Sequence, residues 1–237
     1  MKFAVLKSSV AAVLMGVSAV VCSGCGSAAK PVVEGANVGL SQSAIERAFT
    51  AAAGQASALH MQGSMTQGGE TMAVDLYLNR DGSGRGQIQQ SGYTAPFIIV
   101  GGVTYVQLTT SILAQAHYTA SKAAQLKGKW LPGNTPGATA LTSGIGMMGS
   151  YKSLVNDIFS TSSDGMLTSA NAHGTAQYQG KSVAVYEDSS GALEYFAADG
   201  PAYLLALVDP STSQPAITFT WNSPTTVSAP PADLILK

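Results

Sequence analysis

The chain has 237 residues, which suits one large domain, and 46% are hydrophobic, enough for a core and too many for overall disorder. The formal net charge is −1 with no basic run, which leaves nucleic-acid binding without an electrostatic footprint. Charged residues make up only 11%, well below the usual ~25%, so the polar surface falls to Ser, Thr, Gln, Asn and Gly.

The chain opens with an export signal. Lys2 and Lys7 form a positive n-region, and residues 8–21 (SSVAAVLMGVSAVV) have the length of a signal-peptide h-region. The run is shorter than the ~20 apolar residues of a membrane-spanning helix. It ends Cys22-Ser23-Gly24-Cys25-Gly26. Small residues must precede a cleavage site, and Ser23 and Gly24 meet that need for Cys25. Val20 and Val21 do not meet it for Cys22. The segment resembles the bacterial lipobox, which implies a diacylglycerol on the Cys25 thiol and a new N-terminus at that residue. One departure is Cys22, where Leu is usual. Residues 1–24 are thus expected to be a lipoprotein signal peptide. The rest is expected to lie on the extracytoplasmic face of the cell membrane. Losing Lys2 and Lys7 takes the formal charge from −1 to about −3. No cysteine follows Cys25, so the exported domain must be stabilised by its core alone.

Residues 25–39 are rich in small residues, with Pro31 and several glycines, and predict a flexible tether. A helix follows. Ser43 and Glu46 have capping-box spacing, Ala44, Ile45, Ala48, Phe49, Ala52 and Ala53 recur at helical period, and Gly54 stands where a C-terminal cap belongs. Strands come next in quick succession, over 59–65, 72–78, 84–91, 97–100 and 103–108, the last two joined by Gly101-Gly102. Ile112, Leu113, Ala116, Ala120, Ala123 and Ala124 share a face and predict a helix over 111–126 ending before Gly128. Residues 131–149 form a glycine-rich loop that holds Met147 and Met148, flexible side chains suited to an adaptable rim. Ser150 then caps a helix over 150–160 with Leu154 and Ile158 on its apolar face. Strands return over 175–178, 182–187, 192–197, 203–208 and 217–221.

Most connections are too short for a crossover helix, so the strands are expected to be antiparallel. Together they predict an α+β fold, a sheet of about ten strands with helices packed on one face.

The order of elements resembles the LolA/LolB-like half-barrel lipoproteins, especially the actinobacterial LppX/LprG-type group. Four features carry the resemblance: the lipobox and tether, a first helix leading into a meander, PFIIVGGVTYV at 96–106, and FTWNSPTTVSAPPAD at 219–233. It covers about residues 40–237. The resemblance implies a curved antiparallel half-barrel with helices on its concave face. Between them it implies an apolar cavity for a lipid or other acylated hydrophobic molecule. Candidate cavity residues are Val74, Leu76, Ile98, Val100, Val106, Leu108, Leu113, Met147, Met148, Leu154 and Ile158. The other reading is a non-enzymatic sensor or protein-interaction module whose half-barrel is filled, and on either reading a monomer is expected.

No catalytic constellation stands out, and neither a cofactor nor a metal is expected. Tyr118-Thr-Ala-Ser-Lys122 matches a dehydrogenase Tyr-x-x-x-Lys, but no dinucleotide loop precedes it. The glycines at 82, 84 and 86 lie between strands and open no helix. His60, His117 and His173 are scattered, with no cysteine or paired carboxylate to complete a metal set.

Overall fold

The computed structural model describes residues 35–67, 70–90, 92–135, 138, 145, 150–158, 171–188, 191–209, 211 and 214–237. Eleven strands form one antiparallel sheet. They are β1 (Ala58–Gln67), β2 (Glu70–Asn79), β3 (Gly84–Gln90), β4 (Tyr93–Val100), β5 (Val103–Gln107), β6 (Trp130–Pro132), β7 (Asn171–Tyr178), β8 (Lys181–Glu187), β9 (Leu193–Ala197), β10 (Leu204–Asp209) and β11 (Gln214–Trp221). The α-helices whose bounds are described are α1 (Gln42–Gln55), α2 (Thr110–Gln115), α3 (Ala120–Leu126) and α4 (Tyr151–Ile158), and a short 3-10 helix spans Ala232–Leu234.

The spatial order is β6-β5-β4-β3-β2-β1-β11-β10-β9-β8-β7. Two meanders therefore meet at the β1–β11 pair, where Leu59 lies opposite Trp221. β6 and β7 are consecutive in the chain yet stand at opposite edges, so the curved sheet stays open as a half-barrel. The expected α+β class holds, with one more strand than the sequence suggested.

Register decides which side chains face inward, because residues directly opposite in neighbouring strands share a face. One rung runs Leu76, Gly86, Phe97 and Val106. A Cβ at Gly86 would collide with the Asp75 carbonyl, so only glycine lets β2 and β3 approach there. Flanking rungs are Val74, Ile88, Ala95 and Leu78, Gly84, Ile99. Their apolar side chains are all buried. Removing such side chains from water, at about 25 cal/mol per Å² of apolar area, supplies the main folding drive.

Helix α1 lies on this buried face. Phe49 makes edge-on contacts with Phe196 (6.3 Å) and Trp221 (5.7 Å). Tyr151, Leu154 and Ile158 of α4 join the same core.

Several local expectations change. Ser41, not Ser43, stands at the N-cap of α1, and Glu46 instead accepts from Gln42 Nε2 at 2.8 Å. Gly54 lies inside α1, which ends at Gln55. The single helix expected over 111–126 is two helices. Thr109 accepts from the Ile112 amide to start α2, and Thr119 accepts from the Lys122 amide to start α3. Between them His117 has φ 55, a left-handed break that the alanine periodicity does not reveal. Part of the expected tether is docked. The Asn37 side chain donates to the carbonyls of Ala197 (2.9 Å) and Gly200 (3.0 Å), and the Tyr186 hydroxyl donates to the Asn37 carbonyl. Gly35 passes so close to Ala198 that any Cβ there would clash.

Candidate functional site: an apolar cavity beside α2 and α3

Two short helices lean on the β4–β6 arm and leave a cavity of about 600 Å³ that opens to solvent. Its apolar walls are Leu108, Ile112, Ala116, Leu126, Leu131 and Leu236. Tyr93, Gln115, Tyr118 and Lys122 supply the polar groups. The volume lies within the roughly 300–1,000 Å³ of small-molecule sites, which are mostly apolar with a few polar groups.

The local sequence accounts for each wall. Leu108 follows β5 on the inward face, opposite Ala95 by continuation of the β4–β5 register. Leu131 pairs with inward Val106, which turns it the same way. The break at His117 swings Tyr118 outward, where it is 48% exposed, the most exposed large hydrophobic among the described residues. The C-terminal residues form the remaining wall. The Leu236 amide donates to the Trp130 carbonyl at 2.9 Å, Ile235 makes a parallel bridge to Trp130, and Lys129 Nζ donates to the Asp233 carbonyl at 2.9 Å.

Of the residues singled out in the sequence, Leu108 lines this cavity. Val74, Leu76, Val106, Leu113, Leu154 and Ile158 are buried in the packed core. Ile98 and Val100 do not lie on the inward face: Phe97 and Ile99 do. Ile98 pairs with Tyr105 and Arg85 in an outer row with Tyr77 and His60. In that row the His60 and Tyr77 rings stack at 3.8 Å and Arg85 lies 5.4 Å from the Tyr77 centroid. Cys25, Met147 and Met148 lie outside the described residues.

Sequence reasoning missed Tyr93, Ile112, Tyr118, Lys122, Leu126, Leu131 and Leu236 as cavity residues. As a sequence motif, Tyr118 and Lys122 suggest only a dehydrogenase pair. In the fold they share one cavity wall with aliphatic side chains.

Two other depressions have a different character. One of about 600 Å³, at the β2–β3 turn, is lined by Gln55, Ser57, Asn79, Arg80, Asp81, Pro224 and Thr225, with no aliphatic side chain other than the proline. The other, about 250 Å³, sits at Gly102 and Asn134. No group of metal-ligating side chains occurs among the described residues. None of the described helices is long and apolar enough to cross a membrane. His60 bonds Asp75 at 2.8 Å, and His173 lies 3.1 Å from Glu187.

One buried acid stands apart from the cavity. Glu194 of β9 is fully buried on the inward face, and among the described residues neither carboxylate oxygen has a hydrogen-bond partner. Burial pushes its pKa up to about 8, and the carboxylates of Asp188 and Glu46 push the same way.

No family model and no curated protein matches the chain. Among solved structures it is similar to LprF from Mycobacterium bovis, at 11% identity over 79% of this chain and 95% of that one, with a TM-score of 0.45. It is also similar to the Mycobacterium tuberculosis lipoprotein LppX, at 16% identity over 79% of this chain and 100% of that one, TM-score 0.44. Similarity extends to the MucA/MucB complex structure from Pseudomonas aeruginosa, at 17% identity over 81% of this chain and 59% of that one, TM-score 0.29.

Proposed function

We propose that this chain is a monomeric lipoprotein, anchored through Cys25 on the extracytoplasmic face of the cell membrane, that binds a lipid or other acylated hydrophobic molecule without catalysing a reaction. The observation that carries the reading is the cavity of about 600 Å³ between α2, α3 and the β4–β6 arm. Leu108, Ile112, Leu126, Leu131 and Leu236 offer it aliphatic walls, while its mouth meets water. An acyl chain entering there leaves water for apolar contact, the dominant favourable term in such association. The anchor keeps the cavity near a membrane that supplies such chains.

The inward face beneath α1 and α4 is filled by Phe49, Tyr151, Leu154 and Ile158. That half fits the second reading, an interaction module with no ligand. Native mass spectrometry of the full chain, extracted gently from its own membrane, separates the two. The carrier reading expects a non-covalent adduct of acyl-lipid mass in addition to the covalent anchor. A polypeptide carrying only the anchor, with no adduct on adding lipid, would leave the interaction module standing.

A further inference from the structure

We infer that the cavity beside α2 and α3 selects a single-chain amphiphile with an anionic head, and that Lys122 receives the head; this rests on the cavity being an acyl site. Three independent observations meet here: size, charge at the mouth, and the distribution of acids along the chain.

The first is size. A methylene takes about the share of a water molecule, roughly 30 Å³. A cavity of about 600 Å³ therefore has room for about twenty such groups, the size of one long chain and its head.

The second is the lining charge. Among the described lining residues Lys122 is the only charged one. Lys122 is exposed, and no salt bridge engages its ammonium among the described residues. Lys127 and Lys237 directly follow the lining residues Leu126 and Leu236. Lys129, whose ammonium holds the Asp233 carbonyl, adds a further positive charge to the same region.

The third is the sequence. Between Asp81 and Asp157 the chain contains no Asp or Glu, yet its β3–β6 portion holds Arg85, Lys122, Lys127 and Lys129. The stretch includes β3 to β6, α2 and α3. The stretch from β3 to β6 is thus basic in a protein whose net charge is negative, and Asp233, beside Lys129, is the one acid in sequence near the C-terminal wall. Charge of one sign around a cleft raises the local concentration of the opposite sign. A neutral apolar ligand would need none of this. An anionic carboxylate or phosphate on one chain uses both the aliphatic walls and the ammonium.

The test is calorimetric titration of the full chain with three amphiphiles of equal chain length, each below its micelle concentration. They are dodecanoate, dodecyl phosphate and the uncharged tetra(ethylene glycol) monododecyl ether. The wild type should prefer an anion over the neutral compound by about two- to fivefold, as a partly exposed ion pair supports. The preference should shrink as salt is raised. Lys122→Gln should bring the anion-to-neutral ratio close to one, and Lys122→Glu should invert it. Lys152→Gln, on α4, should keep the wild-type ratio. Preference for dodecanoate alone assigns a free fatty acid, and preference for dodecyl phosphate alone assigns a phosphorylated single-chain lipid. Equal affinity for all three would overturn the inference while leaving an acyl site. Binding of none of them would overturn both.

Discussion

The Tyr151 hydroxyl donates to the Ala53 carbonyl at 2.6 Å, so α4 is bonded to the last turn of α1 across 98 residues of chain. Burial raises the phenol pKa to about 12, which keeps this donor protonated throughout the physiological range. The bond joins the two helices that fill the inward face, and leaves the cavity to α2 and α3.

Tyr151→Phe should therefore cost about 0.5–1.5 kcal/mol, the net worth of a typical hydrogen bond. The cost stays modest because the Ala53 carbonyl also accepts from the Ala56 amide. Leu154→Ala removes core volume and should cost about 2–5 kcal/mol. Chemical denaturation of both variants checks the ranking. A larger loss for Tyr151→Phe would mean the hydroxyl, not the packing, holds α4.

Glu194 makes stability pH-dependent. Its folded pKa, about 8, lies above the ordinary value of 4.5. The folded state thus holds the proton longer than the unfolded chain does. The contribution is intact below pH 4.5 and is lost as pH rises through about 8. A tenfold change in proton affinity corresponds to about 1.4 kcal/mol, so the loss amounts to several kcal/mol. Melting temperature should fall between about pH 5 and 8.5, and Glu194→Gln should flatten that slope. An identical slope in wild type and variant would assign the effect to other groups.

The cavity and the core should respond differently to added bulk. Ala116 is exposed and lines the cavity. Ala116→Trp should occlude it, lowering acyl uptake severalfold, with stability changed by no more than about 0.5 kcal/mol. Val106 is fully buried in the core. Val106→Trp should lose about 1–3 kcal/mol or more to strain. Uptake unaffected by Ala116→Trp would place the ligand elsewhere.

Cys25→Ala should release the protein from membranes into the soluble fraction, because no other cysteine follows it. Fractionation together with the intact mass checks this. A variant that stays membrane-bound, beside wild type lacking acyl mass, would contradict lipidation at Cys25.

Strand alternation made most of the sheet legible, and Val74, Leu76 and Leu78 face inward as their period of two indicates. Residues 97–100 are apolar on both faces, so alternation alone could not set their parity. The Gly101-Gly102 turn does set it. A two-residue turn pairs Val100 with Val103, hence Phe97 with Val106, and Ile98 cannot share the Val106 face. β6 escaped notice because Trp130–Pro132 is only three residues long and ends in proline. The cavity was the least legible part. It depends on a left-handed residue at His117 and on Leu236 reaching β6, a relationship between residues more than a hundred positions apart.

Photo-crosslinking locates the ligand most directly. The full chain is loaded with a dodecanoate analogue bearing a terminal diazirine, irradiated, digested and mapped by tandem mass spectrometry. Labels should fall on Leu108, Ile112, Leu126, Leu131 or Leu236 and be competed away by unlabelled dodecanoate. Labels confined to α1 and α4, or none above an unirradiated control, would contradict an acyl site beside α2 and α3.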